Sequence, residues 1–591
     1  MSDYRYPYQD GVFVLNHLVG LEQICNEAGL EEFAEGLAEA VLDEASKLGC
    51  EKLAPLNVKG DQHGALISNN RVQETVGFAD VYQQFCDGGW PSLAANPEFG
   101  GQGLPDVLAV AVNEVWQSAN LAWALCPLLT QGAIEAIESH GDEALKANYL
   151  SKLISGEWTG SMNLTEPDAG TDLAALKTKA QPNGDHYLIS GQKIFITWGD
   201  HQMTDNIVHL VLARLPDAPA GVKGISLFVV PKFLLDENGA LTEQRNDVFA
   251  VSLEHKLGIH GSPTCVMSFG ENDGAIGYLV GEENNGLACM FTMMNDARQG
   301  VGLQGLAISE RAYQHALEYA KERIQGTLRD GSRISIIKHP DVRRMLMQMK
   351  SSIQAMRALV YVARAETDRA KNAEDESICL KHQKRTDLLT PIVKGWVTEL
   401  SQEATYLAVQ VHGGMGYIEE TGVAQYYRDA RILTIYEGTT GIQALDLIGR
   451  KTLSDSGEAL NELLDEIHTD LDSIKHPDLQ DITQAVLEAL STAQKVKGWV
   501  LEHRTDSDAL GSASVNYMML LGYLCGGWLL AKSASIAFEQ LAGDEAGNEF
   551  LQAKIVSTRF YTEQLLPRVT ALAAAMYAGA DSTMALKEEQ F

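Results

Sequence analysis

The sequence predicts a mainly helical α+β chain: an N-terminal helical domain, a middle antiparallel β domain, a helical bundle and an appended helical domain. Three observations carry the prediction. A helical apolar period runs from about Leu18 to Gly156, gives way to a period of two between Ser161 and Val280, and returns after Asn285-Gly286 for the rest of the 591 residues. The expected domains are 1–160, 161–284, 285–450 and 451–591, close to the usual size for a domain of about 150 residues.

In chain order, acid-dotted apolar runs such as Leu30 to Leu48 and Val107 to Ile137 predict helices. Between them, Cys86 to Pro105 is dense in Gly and Pro and predicts an ordered loop. Six short β-rich runs follow, at His186–Ser190, Lys193–Thr197, Ile207–Ala213, Ile225–Val230, Val248–Val251 and Thr264–Phe269. With no helical pattern between them, they predict an antiparallel barrel or sandwich, not a βαβ nucleotide fold. Val342, Leu346, Met349, Ile353, Met356, Val360 and Ala363 step by four and three residues and mark a bundle seam. A helix from Ile392 to Val411 is expected to stop at His412-Gly413-Gly414, and a polar patch at Ser454 to Gly457 opens the last helical stretch.

Composition excludes several function classes. With 79 acidic against 46 basic residues, the net charge of -33 repels phosphate backbones and anionic lipid, which argues against nucleic-acid or membrane-surface partners. The eight cysteines are scattered without metal-ligand spacing, so no metal is expected. The opening Met1 to Asp10 has no apolar signal core, and the most apolar stretch, Tyr517–Ala531, is shorter than the ~20 residues of a membrane crossing. A cytoplasmic protein without stable membrane insertion is the expectation.

The phosphate-loop, HExxH, GxSxG and strand-to-helix GxGxxG patterns are absent, and four other clusters stand out. Met162 to Asp172 is a hydroxyl- and glycine-rich turn able to present N–H groups to a polar ring or phosphate; equally, it reads as a boundary turn capped by Thr165 and Asp168. In Gly191 to Gly199, Phe195 and Thr197 share a strand face by the two-residue period, either to stack on a flat heterocycle or to fill a barrel core. Arg298 opens a helix that Arg323 ends, and both are anion anchors or merely solvated charges. In Arg428 to Thr440, Glu437 follows Ile432, Leu433 and Ile435 ahead of a helix that Thr440 can cap. A carboxylate in apolar surroundings has a raised pKa and can act as a general base towards a carbon acid.

With these clusters in this order, residues 30 to 450 resemble the acyl-CoA dehydrogenase family. The matching segments are Thr165-Glu166-Pro167 with Ala169-Gly170-Thr171-Asp172, Gly191-Gln192-Lys193 with Ile196-Thr197, Gln410 with Gly413-Gly414, Arg428-Asp429-Ala430, and Tyr436-Glu437-Gly438-Thr439. The length and the extension beyond Arg450 look most like the large bacterial branch of about 600 residues. The resemblance implies a C-terminal four-helix bundle and FAD held between domains and at a subunit interface, with a homodimer as the assembly. It assigns Glu437 as the base. Thr165, Gly170, Thr171, Phe195, Thr197, Arg323, Gln410, Gly413, Gly414 and Thr439 would serve FAD, and Arg298, Thr171 and Gly438 the acyl-CoA. Some relatives place the base just before the arginine matching Arg298, where this chain has Ala297. Phe195 stands where tryptophan is frequent, and Thr171 where serine is.

The reaction so implied is α,β-dehydrogenation of a fatty acyl-CoA to the trans-2-enoyl-CoA, with electrons passed to an electron-transfer flavoprotein. Oxidation of 3-methylmercaptopropionyl-CoA is the alternative substrate reading, and an acyl-CoA oxidase using oxygen the alternative acceptor reading. A non-catalytic flavin- or acyl-CoA-binding protein is the rival from another class, and an intact Glu437 argues against it.

Overall fold

The change of period at Ser161 becomes a sheet of eight strands, beside a two-stranded pair at Phe233–Leu235 and Leu241–Arg245. In the computed structural model, which describes residues 4–30, 36–543 and 545–591, the eight are β1 (Trp158–Asn163), β2 (Lys179–Asn183), β3 (His186–Thr197), β4 (Asn206–Arg214), β5 (Ile225–Pro231), β6 (Val248–Leu253), β7 (Thr264–Phe269) and β8 (Ala275–Val280). The sheet order is β6-β7-β3-β8-β5-β4-β1, and β2 pairs with both β3 and β4. That double pairing closes β2, β3, β8, β5 and β4 into a ring through Lys179 opposite Arg214. Ala180, Ile189, Val211, Phe228, Val230 and Ala275 fill its core.

Two strand expectations change. The runs at 186–190 and 193–197 are one continuous strand, β3. Strands β2 and β8 fall outside the expected runs, and so does β1, of which Met162 and Asn163, expected in a turn, are the last residues. Strand β1 pairs parallel with β4, Trp158 opposite Asn206. Because every β1 residue is buried, it has no in-out alternation to read. A small hairpin, Leu66–Ser68 with Arg71–Gln73, also interrupts the region read as helical. The expected helix from Leu30 lies partly outside the described residues, as do Met1 to Asp3 of the opening; Leu37–Leu48 is helical. The Gly- and Pro-rich passage is ordered, with Gln102 N donating to Ser92 O and Leu104 N to Leu93 O.

The chain divides into two compact units. One, Lys47–Leu104 with Ala119–Ala297, holds the sheet; the other, Met1–Ser46, Pro105–Ser118 and Arg298–Phe591, holds the bundle and the appended helices. Helices α1 (Gly286–Glu322), α2 (Pro340–Asn372) and α3 (Glu376–His412) are longer than their sequence patterns, and α4 (Val423–Ala430) and α5 (Thr440–Ile448) are short. Arg298 therefore does not open a helix but lies inside α1, and Arg323 sits just beyond its end. The seam on α2 is buried from Leu346 to Ala363, with Val342 half-buried.

Five further helices complete the chain: α6 (Glu458–Ser473), α7 (Gln480–Glu502), α8 (Ser507–Ala542), α9 (Glu549–Gln564) and α10 (Arg568–Tyr577). The stretch Tyr517–Ala531 is the middle of α8, which in its full 36 residues does meet the length and apolarity of a membrane span; 78% of its apolar window is buried inside the fold. It packs as a core helix. A Cβ on its Gly522 would lie 2.2 Å from Trp396 Cγ, and one on Gly395 of α3 would lie 2.2 Å from Met518 Sδ. Glycine at both positions lets α3 and α8 approach closely.

Buried charge ties the ends of this unit together. Arg357 on α2 is 1% exposed and meets Glu114 at 2.6 Å, Glu310 at 2.8 Å and Asp10 at 2.5 Å, while Lys554 of α9 reaches Asp10 at 2.6 Å. Charges so buried are tolerable only when paired.

Candidate active site

The expected site residues divide between the two units. On the sheet unit, the loop after β1 is pinned against β3 by Glu166, a residue the sequence marked only as part of the turn. Its carboxylate accepts from Lys193 Nζ at 2.8 Å, Thr178 Oγ1 at 2.5 Å and Lys177 N at 2.6 Å. Lys193 Nζ also donates to Leu164 O at 3.0 Å, and Ile194 N donates to Thr165 O at 2.9 Å. This brings Thr165 beside the strand that carries Phe195 and Thr197. Burial pushes the Lys193 ammonium down to about 8 even though Glu166 pulls it back up. Thr165 and Asp168 are not caps: Asp168 pairs with Lys177, and Asp172 caps the next turn by accepting from Ala174 N.

Phe195 departs from the simple strand picture. The β3–β7 register shifts between Cys265 and Met267, and Phe195 takes φ +61°, so a bulge replaces the regular alternation relied on to put Phe195 and Thr197 on one face. Phe195 is left 59% exposed and Thr197 half-buried. Gly170 and Thr171 are exposed, and no atom lies within 4 Å of where a Cβ on Gly170 would stand. A bare aromatic ring on a strained backbone, next to the residue whose N–H binds the Thr165 carbonyl, fits a flat ring ligand.

On the bundle unit, α3 ends at Gly413, φ +60°, and the ring of His412 stacks on Tyr319 of α1 at 4.3 Å. That contact puts Gly413 and Gly414 close to the end of α1, one turn before Arg323. Arg323, Gln410, Gly413 and Gly414 are all exposed, with open space around both glycines. An exposed cation, an amide and two glycines without side chains fit a phosphate-bearing ligand.

Glu437 occupies the turn before α5, with φ +55° at Glu437 and +91° at Gly438. Its half-buried carboxyl is pushed above the usual carboxylate range by burial, against the pull of Arg298 and then Lys394. The surroundings are thus not only apolar, as expected from Ile432, Leu433 and Ile435: two buried cations face the group. Arg298 from α1 also faces Asp446 of α5 at 4.0 Å. Lys394 Nζ donates to Gly438 O at 2.6 Å, and Gln443 Nε2 to Glu437 O at 3.1 Å. The Tyr436 hydroxyl donates to Gln304. Thr439, not Thr440, caps α5, accepting from Ile442 N at 3.4 Å, and Thr440 donates to Glu399 at 2.5 Å. Thr439 is exposed, and its hydroxyl caps the helix. Sequence reasoning missed Lys394 and Gln443. A lone lysine inside Ile392-Val393-Lys394-Gly395-Trp396-Val397 was the available signal, since a cation in a buried run needs a partner.

Four family descriptions match the chain in succession: the acyl-CoA dehydrogenase N-terminal domain over 38–157, middle domain over 161–271 and C-terminal domain over 284–453, and an acetyl-CoA dehydrogenase C-terminal-like segment over 463–587. A 3-methylmercaptopropionyl-CoA dehydrogenase of Ruegeria pomeroyi is 47% identical over 96% of this chain and 97% of its own. A broad-specificity linear acyl-CoA dehydrogenase of Mycobacterium tuberculosis is 33% identical over the full length of both. Among solved structures, an acyl-CoA dehydrogenase from Bacillus anthracis complexed with FAD matches with a TM-score of 0.74 at 22% identity, over 92% of this chain and 88% of that one.

Proposed function

The chain belongs to the acyl-CoA dehydrogenase family, and from that premise we propose that Glu437 is the base of its α,β-dehydrogenation of an acyl-CoA thioester to the trans-2-enoyl-CoA. The observation that carries the reading is a carboxyl group on a left-handed turn, raised by burial yet facing Arg298 and Lys394. FAD is the family's cofactor and, when bound, supplies the two-electron acceptor for the β-hydrogen. Thr165, Gly170, Thr171, Phe195 and Thr197 are the residues we assign to its ring. Arg323, Gln410, Gly413 and Gly414 are assigned to its adenosine diphosphate portion, with the neighbouring copy of a homodimer as the source.

The chain's own work is acid–base and positional. A thioester α-C–H is too weak an acid for a solvated carboxylate, so the base must be partly desolvated and the thioester oxygen must meet a donor as charge moves onto it. The Glu437 carboxylate takes the α-proton, and its backbone N–H is the donor the resemblance assigns to the thioester oxygen. Arg298, expected to touch substrate, is read instead as holding charge around Glu437, since its guanidinium faces Asp446 and Glu437.

We favour 3-methylmercaptopropionyl-CoA over the straight-chain substrate expected from the sequence, because the relative of that name is 47% identical at nearly full length, against 33% for the linear acyl-CoA relative. The electron acceptor is proposed to be an electron-transfer flavoprotein, and the setting the cytoplasm. The test is turnover of FAD-loaded protein with 3-methylmercaptopropionyl-CoA and with saturated acyl-CoAs from short to long, using an artificial electron acceptor. The sulfur-bearing substrate should give the highest kcat/KM; a straight-chain substrate well above it would overturn that choice. Peroxide formed in step with turnover would show an oxidase instead.

A further inference from the structure

Lys394 is fully buried on α3, and its ammonium donates to the Gly438 carbonyl at 2.6 Å. A carbonyl satisfies a proton but carries no countercharge, and a buried ammonium needs one. Two carboxylates face it. Glu399, further along α3, is already engaged by the Thr440 hydroxyl at 2.5 Å. The other is Glu437, on the residue next to Gly438. The left-handed Glu437-Gly438 pair is held at both of its carbonyls, by Gln443 from α5 and by Lys394 from α3. Behind Lys394, α3 is fixed by the close seat of Met518 against Gly395, so the lysine projects from a firmly placed helix.

We propose that Lys394 is a positioning residue for the dehydrogenation: its ammonium clamps the Gly438 carbonyl and, from that seat, places a positive charge beside the neighbouring Glu437 that favours its carboxylate form. The proposal rests on Glu437 being the base. Burial pushes the Lys394 ammonium down to about 8, with Glu437 pulling it back up, and pushes Glu437 up, so the two proton equilibria approach each other. The other groups facing the pair are Arg298 from α1, with Asp446 and Arg450 beyond it, and Tyr436 from the turn itself, bonded to Gln304. From α8, Met518 is apolar and Tyr517 bonds Thr452, so neither supplies a charge. Arg298 remains when Lys394 is removed, and the loss is therefore partial.

The experiment measures kcat and kcat/KM against pH for FAD-loaded wild type, Lys394→Met, Lys394→Arg and Glu437→Gln, with a saturated acyl-CoA and an artificial electron acceptor. Lys394→Met should move the acid limb upward by about one unit, the low end of what a lost opposite charge does to a carboxyl, because Arg298, the larger of the two cationic influences on Glu437, is still in place. Its plateau kcat should fall while KM changes little, and Lys394→Arg should return the limb towards wild type. An unmoved limb in Lys394→Met overturns the proposal, whatever happens to the plateau. If Lys394→Met does not retain FAD, Lys394→Gln, which keeps a donor but no charge, is held to the same limb shift. Glu437→Gln separates the two readings: activity near wild type there refutes Glu437 as base, whereas an inactive Glu437→Gln beside an unmoved Lys394→Met limb refutes only the role of Lys394.

Discussion

Gly438→Ala isolates the strained turn that carries the carboxyl group. At φ +91° an alanine costs about 1–2 kcal/mol relative to glycine. Its Cβ would stand 2.7 Å from Gln443 Nε2, inside contact distance, and Gln443 is fully buried, so its amide must move away from the Glu437 carbonyl it now holds at 3.1 Å. Losing that hydrogen bond costs about 1 kcal/mol. Together these give about 2–3 kcal/mol against the productive turn, which at about 1.4 kcal/mol per tenfold is a fall of about 30- to 150-fold in kcat/KM. The assay is turnover of FAD-loaded protein with an artificial acceptor, with flavin content checked by absorbance. Gly441→Ala, in the first turn of α5, is the control, since nothing lies closer than 3.9 Å to its Cβ and its φ is ordinary. Full activity in Gly438→Ala with bound FAD, or an equal loss in the control, would refute the claim that this backbone conformation positions the base.

Two further substitutions test the charge network that surrounds the bundle. Asp368 accepts from Asp106 N at 2.7 Å and Val107 N at 2.9 Å, and burial, then the Asp106 charge, pushes it up to about 7. A carboxyl raised above its unfolded value loses stability as pH rises from about 4 through 7. Asp368→Asn gives up one of the two N–H bonds, about 1–2 kcal/mol, but has no such slope, so its deficit in chemical denaturation should be smaller at pH 8 than at pH 5.5; a constant or wider deficit contradicts the assignment. Lys554→Met leaves Asp10 with Arg357 alone in a fully buried site, and should cost about 3–5 kcal/mol, read as a lower Tm. Because burial alone would raise Asp10 and Lys554 and Arg357 hold it down to about 2, its wild-type contribution is complete above pH 4 and lost as pH falls towards 2. An unchanged Tm at neutral pH in Lys554→Met would show the network to be energetically idle.

What could be read from the sequence followed the range of the interactions that set it. The six β-rich runs and the seam on α2 are local, and the runs lie within five of the sheet's strands and the seam within one helix. Strand β1 hid because burial on both faces erases alternation, and its parallel partner β4 lies more than 40 residues on. Glu437 stood out as an acid behind an apolar run, but the cations beside it come from α1 and α3, which no local pattern connects to it. Phe195 was found as an aromatic on a strand, whereas the bulge that exposes it depends on its register with β7. Glu166 was passed over because a carboxylate in a turn reads as solvated until Lys193, 27 residues later, is seen to be buried against it.

The identity of the base is tested most directly by flavin absorbance. FAD-loaded wild type and Glu437→Gln are mixed anaerobically with a saturated acyl-CoA that the wild type oxidises. The wild-type flavin should bleach; the Glu437→Gln flavin should shift its spectrum on binding and stay oxidised, or bleach at least about 100-fold more slowly, the lower range for removal of a general base. Bleaching of Glu437→Gln at the wild-type rate would contradict the assignment of Glu437 as the group that takes the α-proton.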